Sequence, residues 1–452
     1  MVWSPAEAAV PGLDPDRVVH FFKHALPHPN SYWVSFSGGL DSSVLLYLLA
    51  SVRAQLPAPL HAIHIDHGLQ AASADWAADC RARCAQLGVP LEIRRVDARA
   101  AHGQSPEAAA REARYTAIAS VIGPGVMLLT AHHQQDQAET VLLQMLRGAG
   151  TSGLSGMPPC RRWRQGWLAR PLLGASREGI VQWARDAGLS WIEDPSNAAH
   201  GADRNFLRHR VLPTLAERWP AAVQSITRSA QLCAEADGIV AGEADADLCA
   251  IEVAGSDRLQ VTGLCRLDPA RRANALRRWL QRQGAASLPA ARLYEAMEQL
   301  CHARSDAAVR IVWAGHGLRR FQGQVWFLEH DLDAEPPAVW RRWSGEAVDL
   351  GPGLGRLHTR LAPGGIDPQR WQQAQIEIAH RPAGMRYRLA GRRGSRDFKH
   401  LAQELGIPPW ERDLVPVILL DGEPAAIAGY AVLDPFVLTH GQGIWPSWEA
   451  PF

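Results

Sequence analysis

The chain has 452 residues, 47% hydrophobic and 21% charged, with 47 Lys+Arg against 46 Asp+Glu and a formal net charge of +1. That length exceeds what one hydrophobic core organises and predicts roughly two to four domains. The near-neutral balance excludes a global field drawing the protein onto nucleic acid or membrane. No apolar run of about 18 residues occurs, which excludes a membrane-spanning helix.

The basic residues are arginines apart from Lys23 and Lys399. Arginine's planar fork suits phosphate and stacks on bases, although a genomic composition bias gives the same signature. Seven cysteines, Cys80, Cys84, Cys160, Cys233, Cys249, Cys265 and Cys301, are scattered without a CxxC pair. Buried free thiols in a reducing cytosol are therefore expected. The N-terminus lacks a charged segment followed by an apolar run, so no signal peptide is expected and the location is cytoplasmic.

In chain order, Ser31–Phe36 reads as a strand, followed by a glycine turn and an apolar helix from Asp41 to Ala50. A strand at Leu60–Ile65, a helix around Ser73–Leu87 and a strand at Leu91–Val96 come next. The helix Ser105–Ile122, with Pro106 in its first turn, leads to the strand Val126–Ala131 and the helix Asp136–Leu146. Near-continuous apolar strands alternating with helices predict a parallel sheet covered on both faces. Thr151–Pro159 reads as a Gly/Ser/Pro loop, and a helix is expected between Ser176 as N-cap and Gly188 as its C-terminal glycine.

From about Pro220 to Gly317 the pattern is helical and arginine-rich. Arg271, Arg278 and Arg282 fall on a different helix face from Ala273, Leu276 and Leu280; that stripe is either a solvated face or an RNA-facing one. Glu335–Gly365 reads as a linker with short strands. Ile376–Phe452 reads as a small domain with β-rich segments at Leu414–Leu420 and Ala425–Val432.

The chemistry-bearing element is Ser37-Gly38-Gly39-Leu40-Asp41-Ser42-Ser43, between the first strand and its helix. Gly38 and Gly39 let the backbone turn and approach an anion closely. Their N–H groups, with those opening the helix, converge on phosphate, and Ser37, Ser42 and Ser43 add hydroxyls. Asp41 would be repelled by bare phosphate, so its partner is the Mg²⁺ that accompanies ATP. The loop is shorter than a Walker A sequence and has no Lys after its glycines. Holding pyrophosphate then suits cleavage between the α- and β-phosphates.

This loop resembles the PP-loop of the ATP pyrophosphatase family. Further motifs resemble the tRNA(Ile)-lysidine synthetase branch: His64-Ile-Asp-His-Gly-Leu-Gln70, Glu107-Ala-Ala-Ala-Arg-Glu-Ala-Arg-Tyr115, Thr130-Ala-His-His-Gln-Gln-Asp-Gln-Ala-Glu-Thr140 and Arg147-Gly-Ala-Gly-Thr-Ser-Gly-Leu-Ser-Gly-Met157. Arg170-Pro-Leu-Leu173, Glu193-Asp-Pro-Ser-Asn197 with Arg204-Asn205, and Phe398–Arg412 continue the similarity. The resemblance spans the chain and is weakest from about 220 to 370.

It implies an α/β, doubly wound parallel sheet of PP-loop, HUP-like type over 1–215. A helical, arginine-rich tRNA-contacting domain over 216–335, a linker over 336–365 and a small mixed α/β tRNA-binding domain over 366–452 would follow. The implied reaction uses ATP to adenylate the C2 oxygen of the wobble cytidine of an isoleucine tRNA with a CAU anticodon. The amine of free L-lysine then displaces AMP. Carried over, Ser37, Gly38, Gly39, Leu40, Asp41, Ser42 and His133 bind ATP, and Asp136, Glu139 and Arg204 bind lysine. Asp41, Asp136, Glu139 and Arg204 carry the catalysis, with Asp41 as the Mg²⁺ contact.

Asp136 and Glu139, three apart on a helix, share a face; the bland reading of the pair is helix-dipole complementation. Arg111, Arg114, Arg271, Arg278, Arg386, Arg388 and Lys399 are candidate tRNA contacts. Monomer and homodimer both stay open. Gln135 departs from the paired aspartates usual in the family, and Asp66 stands where asparagine is common. Rival readings are a tRNA thiolase, an amidating synthetase and a catalytically idle tRNA-binding protein.

Overall fold

The computed structural model describes residues 13–66, 73–96, 106–121, 123–193, 203–304, 307–331, 341–380, 384–392 and 394–451. Contacts divide the chain into two units, Met1–Val240 and Ala241–Phe452.

The first unit opens with α1 (Pro15–His20), then alternates: β1 (Ser31–Ser35), α2 (Leu40–Ser51), β2 (Leu60–Asp66), α3 (Ser73–Leu87), β3 (Leu91–Arg95), α4 (Pro106–Ala119), β4 (Val126–Leu129) and α5 (Gln134–Leu146). There follow α6 (Thr151–Leu154), β5 (Cys160–Trp163), β6 (Gly166–Ala169), α7 (Arg177–Asp186), α8 (Asp203–Phe206), α9 (Leu212–Arg218) and α10 (Ala222–Ile251), which runs past Val240. The sheet order is β3-β2-β1-β4-β6-β5. β1 pairs in parallel with β2 on one side and β4 on the other, so strand order reverses at β1 and leaves a crevice beyond its C-terminal end. α2 is apolar all round because it is covered all round; Leu45, Leu46, Leu48 and Leu49 are fully buried.

The short helix α6 falls within Thr151–Pro159, expected to be loop, and the β5–β6 hairpin just after it went unforeseen. β6 extends the parallel sheet beside β4, while β5 is an antiparallel edge strand. Its Cys160-Arg-Arg-Trp163 sequence leaves both arginines exposed and so lacks the apolar run of a buried strand.

In the second unit the middle part is helical as expected, and it also carries a sheet that the sequence reading did not include. Three helices, α11 (Val261–Arg266), α12 (Pro269–Arg282) and α13 (Ala290–His302), pack on an antiparallel sheet. That sheet contains β7 (Leu259–Gln260), β8 (Arg310–Trp313), β9 (His316–Phe321) and β10 (Gln324–Leu328) in the order β7-β10-β9-β8. Arg310–Trp313 alternates exposed and buried, the period of a strand. Ala314 and Gly315, both at positive φ, make the two-residue turn into β9.

The remainder holds β11 (Arg341–Arg342), β12 (Val348–Asp349), β13 (Arg356–Pro363), α14 (Pro368–Gln373), β14 (Ile376–His380), α15 (Phe398–Glu404), β15 (Pro416–Leu420), β16 (Glu423–Ile427), β17 (Ala431–Val432) and β18 (Gln442–Glu449). They form the sheets β11-β14-β15-β16-β17 and β12-β13-β18. β13, read as linker, pairs along its whole length with β18.

Cys265 and Cys301 form a disulfide, correcting the expectation of free thiols throughout. α11 and α13 share one core and bring the two Cα atoms to 5.6 Å, within bridging reach. A separation of 36 residues carries no motif signal. Cys80 and Cys84 are free and buried, as read. Among the described residues no helix is long and apolar enough to cross a membrane.

Candidate active site

β1 delivers the chain into the loop Ser37–Ser43 at the crevice, where Gly38 takes φ +82°. A Cβ on Gly38 would stand 2.7 Å from Ile192 Cδ1 and 3.0 Å from Cys80 Sγ. The loop is braced from within. The Ser37 N–H donates to Ser42 Oγ at 3.2 Å, and the Ser42 hydroxyl donates to the Gly39 carbonyl at 3.1 Å. The Ser43 hydroxyl, expected to face phosphate, is buried and donates to the Gly38 carbonyl instead. Gly39 is the N-cap of α2, with Leu40 its first residue, so α2 aims its N-terminus at the crevice. Gly38→Ala forces a side chain onto left-handed backbone at a cost of about 1–3 kcal/mol. A raised KM for ATP in steady-state assays is expected, and an unchanged one would contradict this role for the turn.

β4 delivers the other wall. His133 caps α5: its Nδ1 accepts the Gln135 N–H at 3.2 Å, and its own N–H donates to Asp136 Oδ2 at 3.0 Å. With Nδ1 accepting, the proton of the neutral ring sits on Nε2. That Nε2 lies 3.9 Å from Asp41 Oδ2 and 3.5 Å from Asp136 Oδ2, so its hydrogen is presented between the two acids. Gln135, the departure from the family pattern, makes this contact through its backbone. Asp66, the other departure, is buried and ion-paired with Arg95 at 3.0 Å.

A cavity of about 880 Å³ joins the two walls, and Ser37, Asp41, His133, Asp136, Arg177 and Arg208 all line it. Arg177, the first residue of α7, grips Asp41 through Nη1 at 2.8 and 3.0 Å. Glu139 and Arg204 are not among the lining residues. Glu139 is wholly buried and accepts from Arg204 Nε at 2.8 Å and from Arg208 Nε at 2.6 Å. Arg208 Nη2 also reaches Asp136 Oδ1 at 2.8 Å and Glu139 Oε2 at 2.9 Å. Asp136 and Glu139 thus share a face, as the helix spacing requires, and two arginines neutralise them. Arg208 sits in a π-helical turn, Leu207–Val211, between α8 and α9; such turns recur at functional sites.

Burial is the largest influence on the Asp136 carboxyl and opposes its ionisation. The electrostatic pull of the neighbouring His133 and His132 rings, the His133 N–H and the Arg204 charge outweigh burial and hold the carboxyl below the usual carboxylate range. Burial likewise works against the Arg208 charge. The Glu139 hydrogen bond and the charges of Glu139, Asp136 and Asp41 overcome it and raise the Arg208 pKa. Asp136 therefore contributes as an anion at and above neutral pH, and that contribution fades only as pH falls through its lowered pKa.

Arg177 and Arg208 carried no motif signal. Arg208 was findable as the residue one turn beyond Arg204; Arg177 hid as the first residue after a helix cap. His64 is buried, does not line the cavity, and lies 2.9 Å from the Phe36 carbonyl through Nδ1. His67 and residues 194–202 lie outside the described residues.

The candidate tRNA contacts divide. Arg114 lines the cavity, and the Arg111 side chain lies outside the described residues. Arg271 pairs with Asp247 and Glu243, each at 2.6 Å, and Arg278 pairs with Asp245 at 2.8 Å. The stripe on α12 is thus charge-compensated by α10. Arg388 pairs with Asp434 at 2.9 Å, Arg386 donates to Ser395, and Lys399 is exposed.

Three family models match successive parts of the chain: a PP-loop domain over 15–215, a TilS substrate binding domain over 259–326 and a TilS substrate C-terminal domain over 376–448. A tRNA(Ile)-lysidine synthase from Methylococcus capsulatus is 43% identical over 406 residues, 89% of this chain and 92% of its own. The enzyme so named from Alkalilimnicola ehrlichii is 40% identical over 96% of this chain and 97% of its own. That from Shigella flexneri is 38% identical over 92% and 95%. With all three of its parts matched and relatives 40% and 43% identical over most of its length, the chain belongs to the tRNA(Ile)-lysidine synthase family.

Proposed function

We propose that this chain adenylates the C2 oxygen of the wobble cytidine of a CAU-bearing isoleucine tRNA and then joins that carbon to the side-chain amine of free L-lysine. The reading rests on one cavity lined by the phosphate loop, the His133 Nε2–H and the ionised Asp136. In the first step the cytosine oxygen bonds to the α-phosphorus and pyrophosphate leaves. The N–H groups at Gly38, Gly39 and the start of α2 take up phosphate charge as it develops, and His133 donates to the α-phosphate. In the second step the neutral amine attacks C2 and AMP leaves with the C2 oxygen. Asp136, with Glu139 and Arg204 behind it, holds and orients the amine.

A magnesium ion carried by ATP fits the pocket. The Asp41 carboxylate and the Ser37 and Ser42 hydroxyls are the oxygen donors a hard cation prefers, and such an ion takes one or two carboxylates besides substrate phosphates. Among the described residues no group of three or more His, Cys, Asp or Glu forms a metal cage. Such an ion would neutralise phosphate charge as pyrophosphate departs.

We place the enzyme in the cytoplasm with its tRNA, and divide the chain at about 215 and 336–365 into catalytic and tRNA-holding parts. Arg114 serves the anticodon end, and Arg386, Arg388 and Lys399 serve another arm. Affinity built on arginine–phosphate contacts falls with salt. Lys399→Ala is expected to lower the slope of log affinity against log salt by about 1, measured by filter binding across a salt series; an unchanged slope would remove Lys399 from the contacts.

The test of the energy-coupling step follows label from ATP. AMP and pyrophosphate, one of each per lysine joined, are expected; ADP with phosphate would reject cleavage at the α-phosphate.

A further inference from the structure

Asp136 and Glu139 cannot receive an ammonium group in the arrangement observed. Glu139 has no exposed side-chain surface, and both its oxygens accept from guanidinium groups. Asp136 Oδ1 is held by Arg208 and Oδ2 by the His133 N–H. The two acids carry two negative charges and Arg204 and Arg208 carry two positive ones, so the cluster is neutral and offers a further cation little. Of the two arginines, only Arg208 lines the cavity. It touches both acids and feels Asp41, the acid of the phosphate loop. Arg204 sits behind, bonded to Glu139, the Asp136 carbonyl and Thr140 Oγ1. The two arginines thus have different environments: one is structural backing, the other faces the space where nucleotide phosphate and amine meet.

We propose that Arg208 is a resident cation that occupies the amine site of the empty enzyme and is drawn off by nucleotide phosphate, so that lysine binds tightly only after ATP. A guanidinium forks onto phosphate as readily as onto a carboxylate, and the triphosphate brings several negative charges into the same cavity. When Arg208 turns to phosphate, Asp136 and Glu139 keep only Arg204, and a net negative charge remains for the lysine ammonium. Arg208 then also contacts the reacting phosphate. The order keeps lysine out of the cavity until an activated base is there to be attacked. This inference rests on Asp136 and Glu139 being the amine site.

The test is lysine binding to the full chain, measured by equilibrium dialysis of labelled lysine with and without α,β-methylene-ATP and magnesium. For the wild type, the analogue is expected to tighten lysine binding at least about tenfold, because only the fraction of molecules with Arg208 withdrawn is competent. For Arg208→Gln the two affinities are expected to agree within about threefold, both near that of the nucleotide-loaded wild type. Arg208→Lys, which keeps the charge but loses the fork, is expected to fall between them. Should Arg208→Gln not fold, the Arg208→Lys ratio decides alone. A wild-type ratio in either variant, or failure of folded Arg208→Gln to bind lysine without nucleotide, overturns the proposal. Asp136→Asn separates the two ideas: undiminished lysine binding there would sink the amine-site assignment itself.

Discussion

Glu139→Ala is expected to abolish lysine transfer and to destabilise the first unit, a double effect that no other single substitution in the pocket should match. Glu139 is wholly buried and is the shared acceptor of two guanidinium groups. Removing it leaves Asp136 alone to pair with two guanidinium groups and so one uncompensated positive charge against a low-dielectric core, at a cost of about 3 kcal/mol. That lies at the low end for broken buried pairs, since Arg204 and Arg208 keep 25% and 31% of their side-chain surface in solvent and can relax. Chemical denaturation gives the stability, and labelled-lysine transfer gives the activity. Because Glu139 stands behind the cavity rather than in it, adenylation of the tRNA should survive where lysine transfer does not. A variant as stable as the wild type would contradict the neutral-cluster description; intact lysine transfer would remove Glu139 from the amine site.

Asp41→Ala is expected to fail at the other step. Its carboxylate lines the cavity beside the His133 Nε2 and carries the proposed contact to the metal. Losing charge stabilisation at the departing pyrophosphate costs about 10²–10³ in kcat for adenylation. KM for ATP should change much less, because the substitution also releases Arg177, whose partner is Asp41, to meet phosphate. A loss confined to KM would instead mean uniform ground-state binding. Undiminished adenylation would overturn the role given to Asp41.

The architecture of the first unit was legible because its signals are local. An apolar run, a glycine pair and an apolar helix mark β1, the loop and α2. The same reading placed α3 at its observed bounds and Ser176 as the N-cap of α7. β5 escaped because an edge strand needs no apolar run, and β8–β10 escaped because strands this short, inside an arginine-rich stretch, carry too little period-2 signal to stand out.

The site divides along the same line. Asp41, His133, Asp136 and Glu139 belong to two contiguous stretches and could be named together. Arg177 meets Asp41 across 136 positions, and Arg208 meets Glu139 across 69. Such pairs exist only after the sheet has brought β1, β4 and the later helices to one edge. The acids that the sequence offers as substrate-binding are ion-paired with Arg204 and Arg208, and only the fold could reveal that.

One measurement bears on the central claim most directly. The purified full chain is incubated with ATP, Mg²⁺, labelled lysine and transcripts of the CAU-bearing isoleucine tRNA or of an initiator tRNA with the same anticodon. ATP-dependent incorporation of lysine into the isoleucine transcript alone is the predicted result. No incorporation, or equal incorporation into both transcripts, would contradict it.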